Sequence, residues 1–461
     1  LSFVVVQDLS EFPPFTLFFI APTATPTESA ALSALRTPEG RVSRSDACMS
    51  EGMPSASPST HRKAIMFEQL EMAPADPILG LSAAFKSNSN PDKINLGVGV
   101  YQDSSGQTPI LDSVKTAEER ILANEKSKSY LSIEGSPEYG IAVRKLLLGP
   151  EHEILSCERA VTVQSPGGTG ALRIAGDFLA RHYGDRPIWL SEPTWANHPK
   201  IFQAAGLQVE TYPYFDAETN GLNESALLTA LTKIPEGHIV LLHGCCHNPT
   251  GADPSPACWG HIADIIAERN LLPLVDFAYQ GLGDGLREDA VGLEALSRPG
   301  CELLIASSFS KNFGLYKERV GALTLVGADR DAAAKAMSHL KIAVRTSYSN
   351  PPAHGSAIVS EILGDEALSA QWEGEVAQMR KRINDMRVEL VRGLKVKGIE
   401  RNFSFIEQQR GMFSFSGLGT EQVEALREKY AIYIVGGGRI NVAGLTSTNL
   451  EYFCESVAAV L

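Results

Sequence analysis

Short apolar runs recur downstream of Met66: Val161-Thr-Val, Ile188-Trp-Leu, Ile239-Val-Leu-Leu, Leu271 to Val275, Leu303-Leu-Ile-Ala and Ala322-Leu-Thr-Leu-Val, with helix-like stretches between several of them. Continuous rather than alternating apolar runs belong to strands buried on both faces. Helical crossovers between such strands predict an α/β fold with a largely parallel sheet. Further on, Trp372, Val376, Met379, Ile383, Met386 and Leu390 step by 4, 3, 4, 3 and 4. That spacing predicts one apolar stripe on a helix of about five turns. A core-facing helix explains the stripe better than a dimerisation seam does.

Residues 1–65 sustain no such period. Of these 65, 31 are Ala, Ser, Thr or Pro, a composition that reads as disordered. The greasiest part, Phe12 to Ala21, is half the ~20 residues a bilayer-spanning helix needs, and it contains Pro13 and Pro14. A targeting peptide is the alternative, but five Lys/Arg against six Asp/Glu is more acidic than such peptides are. The chain begins at Leu1, which leaves Met49, Met53 and Met66 as candidate initiators.

Composition narrows the function classes. With 461 residues, 44% hydrophobic and 21% charged, the chain has globular composition and, at ~150 residues per domain, room for two or three folded units. Its 41 basic and 54 acidic residues give 41 − 54 = −13, a net field that repels nucleic acid. Seven cysteines, odd in number and without C-x-x-C spacing, read as reduced thiols of an intracellular compartment.

In open α/β sheets ligands sit beyond the carboxyl ends of the strands, and four polar clusters follow the apolar runs. Ser165-Pro-Gly-Gly-Thr-Gly170 precedes a helical stretch with Leu172, Ala175 and Leu179 on one face. Glycines there let backbone N–H groups approach an anion, and Thr169 adds a hydroxyl. A plain turn is the blander reading, and G-x-G-x-x-G spacing fails at Arg173. His243-Gly-Cys-Cys-His-Asn-Pro-Thr-Gly251 holds zinc-ligand residue types, yet Asn248-Pro-Thr-Gly is turn chemistry and His243 and His247 lie at a strand end. No metal is assigned. In Leu274-Val-Asp-Phe-Ala-Tyr-Gln-Gly281, Asp276 is either a helix N-cap or the counter-ion of a cation in the cleft. Lys311, among hydroxyls and aromatics, is either a surface lysine or a desolvated amine nucleophile and proton carrier. Together the clusters supply what pyridoxal phosphate needs.

At these residues the sequence resembles the aspartate aminotransferases, class I members of the fold-type I pyridoxal-phosphate enzymes, and looks closest to the bacterial form. The resemblance spans Met66 to Leu461. It is carried by Ala75-Asp-Pro-Ile-Leu-Gly80, Asn95-Leu-Gly-Val-Gly-Val-Tyr101, Gly167-Gly-Thr-Gly-Ala-Leu-Arg173, His243 to Gly251, Asp276 to Gly281, Ser308-Phe-Ser-Lys-Asn-Phe-Gly-Leu-Tyr316, Tyr348-Ser-Asn-Pro-Pro-Ala-His354 and Gly438-Arg-Ile-Asn-Val-Ala-Gly444. It implies an α/β, fold-type I transferase with a large cofactor-binding domain, 109–370, whose mostly parallel sheet lies between helices. A smaller α/β domain is expected from 66–108 and 371–461, with 1–65 a disordered or targeting extension that the family does not explain.

Position by position, the resemblance implies that Lys311 forms a Schiff base with pyridoxal 5'-phosphate and carries the proton between substrate Cα and cofactor. Asp276 would pair with the ring nitrogen, Tyr279 and Asn248 with the ring oxygen, and Trp195 would stack on the ring. Gly168, Thr169, Ser308 and Arg319 would hold the phosphate, joined by Tyr130 of the partner subunit. His198 and His243 would stand behind the aspartate. Arg439 would grip the substrate α-carboxylate and Arg345 of the partner subunit the distal one, both through bidentate forks. The Gly99 amide would meet the α-carboxylate and Ile78 would line the pocket. Such a shared site implies a homodimer. Gly167, Lys317 and Gly437 depart from common family residues without removing a chemical role.

The implied reaction is reversible amino transfer from L-aspartate to 2-oxoglutarate, giving oxaloacetate and L-glutamate. The alternative is an aromatic-amino-acid aminotransferase with dicarboxylate side activity, because Arg345 belongs to both patterns. A cofactor-sensing regulator would need a basic DNA-binding unit in residues 1–65, which carry net −1 and no helical period. The expected partners are amino acids and 2-oxo acids, not nucleic acid or membrane. The expected location is cytoplasmic, or mitochondrion or plastid were 1–65 a transit segment.

Overall fold

The computed structural model describes residues 66–73 and 77–461. The chain divides into two units, Leu1–Met72 and Ala73–Leu461. The described part of the first holds a single 3-10 turn, Met66–Gln69. The expectations for residues 1–65 lie outside the described residues.

The second unit is built on a seven-stranded sheet of β1 (Ala160–Pro166), β2 (Ile188–Glu192), β3 (Val209–Pro213), β4 (Ile239–His243), β5 (Leu272–Phe277), β6 (Leu303–Ser308) and β7 (Val320–Val326). Their spatial order is β1-β7-β6-β5-β4-β2-β3. Neighbours run parallel except β7, which is antiparallel to both β1 and β6. The α/β fold class and the mostly parallel sheet expected from the apolar runs are therefore present. Strands β4, β6 and β7 are buried along their whole length, which is why they read as continuous apolar runs. Strand β3 escapes a search for such runs. Its sequence, Val-Glu-Thr-Tyr-Pro, lies at the sheet edge with Glu210, Thr211 and Pro213 exposed.

The glycine-rich turn after β1 is less of a loop than its composition suggests. The helix Gly167–Tyr183 starts at the first of these glycines, placing Gly168 and Thr169 in its first turn. Leu172, Ala175 and Leu179 are buried as expected, against the sheet.

The striped helix is longer than the stripe, running from Glu366 to Val396 for 31 residues. Asp365 caps it by accepting the Leu368 N–H at 2.8 Å. Trp372, Val376, Met379, Ile383 and Leu390 are buried in the main core, so the core reading holds. Met386, expected on that face, is only partly buried, and Arg387 is buried in its stead. At 3.6 residues per turn, positions 386 and 387 flank the line through 383 and 390 equally, so the period alone does not choose between them.

Two small pairings bring distant segments together. Ile94–Asn95 pairs in parallel with Ile432–Tyr433, and Phe413–Phe415 pairs antiparallel with Arg439–Asn441. No helix among the described residues is long and apolar enough to cross a membrane.

Candidate active site

One edge of the sheet collects the polar clusters. His243 of β4 registers with Asp276 of β5, and Asp276 with Ala306 of β6. Because β7 runs antiparallel, its first residues meet the ends of its neighbours: Val320 faces Pro166 and Gly321 faces Ser308. A cavity of 240 Å³ opens there, lined by Gly99, Gly168, Thr169, Trp195, Asn248, Asp276, Tyr279, Ser308, Lys311, Arg319 and Arg439. Every expected cofactor residue except Tyr130 lines it.

Asp276 is a strand residue, not a helix N-cap. Its Oδ2 lies 2.9 Å from Nε2 of the wholly buried His198. Thr194 Oγ1 joins His198 Nδ1, at 2.8 Å, to His243 Nε2, at 3.0 Å. Burial alone would raise the Asp276 pKa, but the His198 hydrogen bond and nearby positive charge, Lys311 included, turn the net shift downward. Burial, then repulsion from His198, pulls His243 down to about 3. A neutral imidazole there leaves the negative charge on Asp276 uncancelled from that side.

Lys311 is also desolvated. Burial lowers its pKa to about 8, the Asp276 charge opposing and Arg319 assisting. Its Nζ stands 4.8 Å from the ring centroid of Tyr279, and Asn248 Nδ2 donates to the Tyr279 hydroxyl at 3.4 Å. A pKa lowered this far leaves a neutral minority of the amine at physiological pH, where an ordinary lysine is almost wholly protonated, and the neutral form is the nucleophile and base.

Beside it lies an anion cradle. The first turn of Gly167–Tyr183 presents free N–H groups at a positive helix end, Ser308 adds a hydroxyl, and Arg319 lacks an acidic partner among the described residues. Gly167 has φ +75°, and a Cβ on it would sit 2.5 Å from an Arg319 nitrogen. Glycine at this position lets the guanidinium approach the turn. Arg319 itself adopts φ +53°, and its Nη1 donates to Ser310 Oγ at 3.3 Å.

Arg439 closes the opposite side. It is buried, donates to Asn248 Oδ1 at 3.2 Å and Gly97 O at 2.6 Å, and has no carboxylate partner among the described residues. Its guanidinium stands 4.3 Å from the Phe413 ring centroid. Phe413 also packs against Gly99, where a Cβ would come within 2.7 Å of Cζ.

Not all expected residues gather here. Arg345 reaches Ser349 and Asn350 near the end of the helix Arg330–Ser347 and is exposed. Tyr130 is 93% exposed. Neither lines the cavity. Ile78 lies in the helix Pro77–Ser87, but its side chain is outside the described residues. Three contributors escaped the sequence reading: Thr194, Ser310 and Phe413. Thr194 and Ser310 adjoin residues already singled out, Trp195 and Lys311, whereas nothing in the sequence near Phe413 points to the cleft.

The zinc-ligand residue types resolve into other roles. His247 bonds Ser191 and Thr250 through its two ring nitrogens. Cys245, Cys246 and Asp289 do come together. However, Asp289 accepts the N–H groups of Gly281, Gly283 and Asp284, and burial pushes the Cys245 thiol well above its ordinary value.

Known proteins resemble this chain over most of its length. The family model for aminotransferase class I and II matches residues 91–457. An aspartate aminotransferase of Escherichia coli (strain K12) is 52% identical over 396 residues, 86% of this chain and 100% of that protein. An aromatic-amino-acid aminotransferase of Pseudomonas aeruginosa is 46% identical over 394 residues, 86% of this chain and 98% of that one. Among solved structures, an aromatic-amino-acid aminotransferase from Burkholderia pseudomallei, covalently bound to pyridoxal phosphate, superposes with a TM-score of 0.84. It shares 46% identity and covers 86% of this chain and 99% of its own.

Proposed function

The chain belongs to the class I and II aminotransferase family, and from that premise we propose that it moves the amino group of L-aspartate reversibly to 2-oxoglutarate, giving oxaloacetate and L-glutamate. The observation that carries this reading is Arg439: a buried guanidinium without a carboxylate partner among the described residues, lining the same cavity as Lys311 and Asp276. A buried cation of this kind calls for an anion, and a substrate carboxylate matches its fork.

The cofactor is pyridoxal 5'-phosphate, and the donor set fits it: an amine of lowered pKa, a buried ionised carboxylate, and a helix terminus beside an unpaired arginine. Bound there, it supplies an aldehyde that exchanges between amines and a protonated ring that accepts the electron pair left when a Cα–H bond breaks. Gly168, Thr169, Ser308 and Arg319 hold its phosphate. Asp276, fixed by His198 and backed by neutral His243, holds the proton on the ring nitrogen. Asn248 and Tyr279 bond the ring oxygen, and Trp195 covers the ring face. Lys311 would be the attachment amine, and its Nζ would carry the proton between substrate Cα and cofactor. Arg439, with the Gly99 amide, orients the α-carboxylate so that this proton faces Lys311.

A dicarboxylate needs a second cation, and with Lys311 and Arg319 assigned to the cofactor, Arg439 is the one Lys or Arg left for substrate among the described residues that line the cavity. We read the exposed Arg345 as the residue that grips the distal carboxylate in the partner subunit of a homodimer, and Tyr130 as its counterpart at the partner's phosphate site. The expected small domain, 66–108 with 371–461, belongs to the same reading. The pairing of Ile94–Asn95 with Ile432–Tyr433 supports it.

One observation favours added breadth. A recess of 580 Å³ adjoins the site, sharing Trp195, Asn248 and Arg439, walled by Pro193, Phe415 and Val435 and also lined by Lys200, with room for an aromatic side chain. Oxaloacetate formation from L-aspartate and 2-oxoglutarate tests the main reading, and no formation by the loaded enzyme ends it. Comparing kcat/KM for aspartate and phenylalanine then decides breadth.

A further inference from the structure

Arg387 is a buried cation that the chemistry above does not use. It lies on the core-facing side of the helix Glu366–Val396, 1% exposed, and forms no ion pair among the described residues. Its Nη1 donates to Ile406 O at 3.1 Å and closely to Ser414 Oγ, and its Nη2 to Gly411 O at 2.6 Å and Phe413 O at 2.8 Å. Nε has no partner. Burial pulls its pKa down to about 9. Its neighbours on the stripe are Ile383 and Leu390, and an apolar residue at 387 would continue the packing without burying a charge. Arginine is kept here for the four acceptors it holds, which an apolar residue would leave without this donor.

The four acceptors belong to one segment, 406–414, which leads into the strand Phe413–Phe415 paired with Arg439–Asn441. This segment is held closely on its other side. Arg410 N–H donates to Gly251 O at 2.7 Å, and Gly411, at φ +77°, approaches Cys246 so nearly that a Cβ would come within 2.3 Å. The ring at its end, Phe413, supports the Arg439 guanidinium and packs edge-on against Tyr279, centroids 6.0 Å apart. A planar fork holding three carbonyls and a hydroxyl fixes both the position and the tilt of that strand.

We infer that Arg387 is a positioning residue for substrate carboxylate binding, acting from behind the cavity by fixing the strand that sets Phe413 beneath Arg439. The inference rests on the reading of Arg439 as the α-carboxylate partner.

The test uses the cofactor-loaded enzyme with Arg387→Met and Arg387→Lys, and Arg439→Lys in parallel. The readouts are Tm, cofactor content, kcat and KM for L-aspartate, and the Kd of succinate as an unreactive dicarboxylate. Arg387→Met should lower Tm, because buried acceptors lose their donor, yet keep its cofactor content, with kcat little changed, while KM and the succinate Kd rise about tenfold, a modest share of what misplacement in an active site costs. Arg387→Lys, which has no planar fork, should show the same split. A folded Arg387→Met with wild-type KM and Kd, beside an Arg439→Lys that binds succinate weakly, overturns this inference alone. Wild-type succinate binding by Arg439→Lys overturns the underlying reading as well. Should Arg387→Met not fold, Arg387→Lys and Ser414→Ala decide: raised KM in both supports positioning, and wild-type KM in both refutes it.

Discussion

His198 Nε2 and Asp276 Oδ2 lie 2.9 Å apart at the end of β5, and the histidine is inaccessible to solvent. The pair keeps the aspartate ionised in a place where burial alone would neutralise it. Asp276→Asn should therefore retain the fold but lose turnover by about 10²–10³, the usual cost of removing an aimed electrostatic group. His198→Asn should lose less, because the carboxylate remains. Initial rates of both variants check this, and equal losses would contradict the order.

Lys311 offers a pH test that needs no turnover. In the cofactor-free protein, labelling by an amine-reactive reagent should titrate near 8, where ordinary lysines remain protonated. The Asp276 charge raises this pKa against burial, so Asp276→Asn should move the midpoint lower still. Mass spectrometry of the Lys311 peptide across pH reads both values. In the loaded enzyme Lys311→Ala should cut turnover by at least about 10², the lower bound for losing a general base.

Arg439→Ala removes the buried cation from the substrate side. Loss of one partner of a buried, hydrogen-bonded charge pair costs ~2–5 kcal/mol, which corresponds to a fall in kcat/KM for aspartate of about 30-fold or more. Steady-state kinetics on aspartate and alanine would separate α-carboxylate loss, felt by both, from general damage to the cofactor site, which also lowers cofactor content.

Mixed dimers test the shared site. Lys311→Ala and Arg345→Ala proteins should each be inactive on aspartate. Unfolded together and refolded, they should regain about a quarter of wild-type activity, because half the dimers are mixed and each mixed dimer has one intact site. No recovery would place Arg345 outside the partner's site.

Two buried histidines set the acid limit of stability. His243 is pulled down to about 3 and His247 well below its ordinary value, in both cases chiefly by burial. The unfolded chain protonates them near 6.5, so it binds more protons than the folded chain below that pH, and stability falls as pH drops from 6.5 toward 3. Asp253, raised to about 6 by burial, acts in the opposite sense over part of that range, since it favours the folded state once protonated. Asp289, also raised by burial, acts in the same sense as Asp253, while the two histidine shifts act from pH 6.5 down. Denaturant unfolding should show a net loss of stability between pH 7 and pH 5, and unchanged or greater stability at pH 5 would refute the burial of neutral imidazoles.

Much of this molecule is legible in local pattern. Strands β4 to β7 announce themselves because both faces are buried, and the long helix because a 3.6-residue period repeats its buried face. Gly168, Thr169, Asp276 and Lys311 stand out in the polar strings that follow those strands, since such strings stand at the carboxyl edge of a parallel sheet, whereas Gly99, Trp195 and Arg439 entered only through the family resemblance and Phe413 not at all. The edge strand β3 was invisible because half its surface meets water, and an edge demands no apolar run.

What the tertiary structure decided is which polar groups meet. Register brings His243 opposite Asp276, and the packing of helix His198–Ala205 adds His198, a bond across 78 residues of sequence. Arg387 occupies a stripe position where an apolar residue would fit the period as well, so periodicity could not reveal it. Three of its four acceptors are backbone carbonyls, which every residue carries, and only the fold of 406–414 turns them toward one guanidinium. Sequence determined the elements and the chemical types at their ends, because burial and local propensity act over a few residues. Pairing between distant groups depends on strand order and register, and those arise only when the whole sheet is assembled.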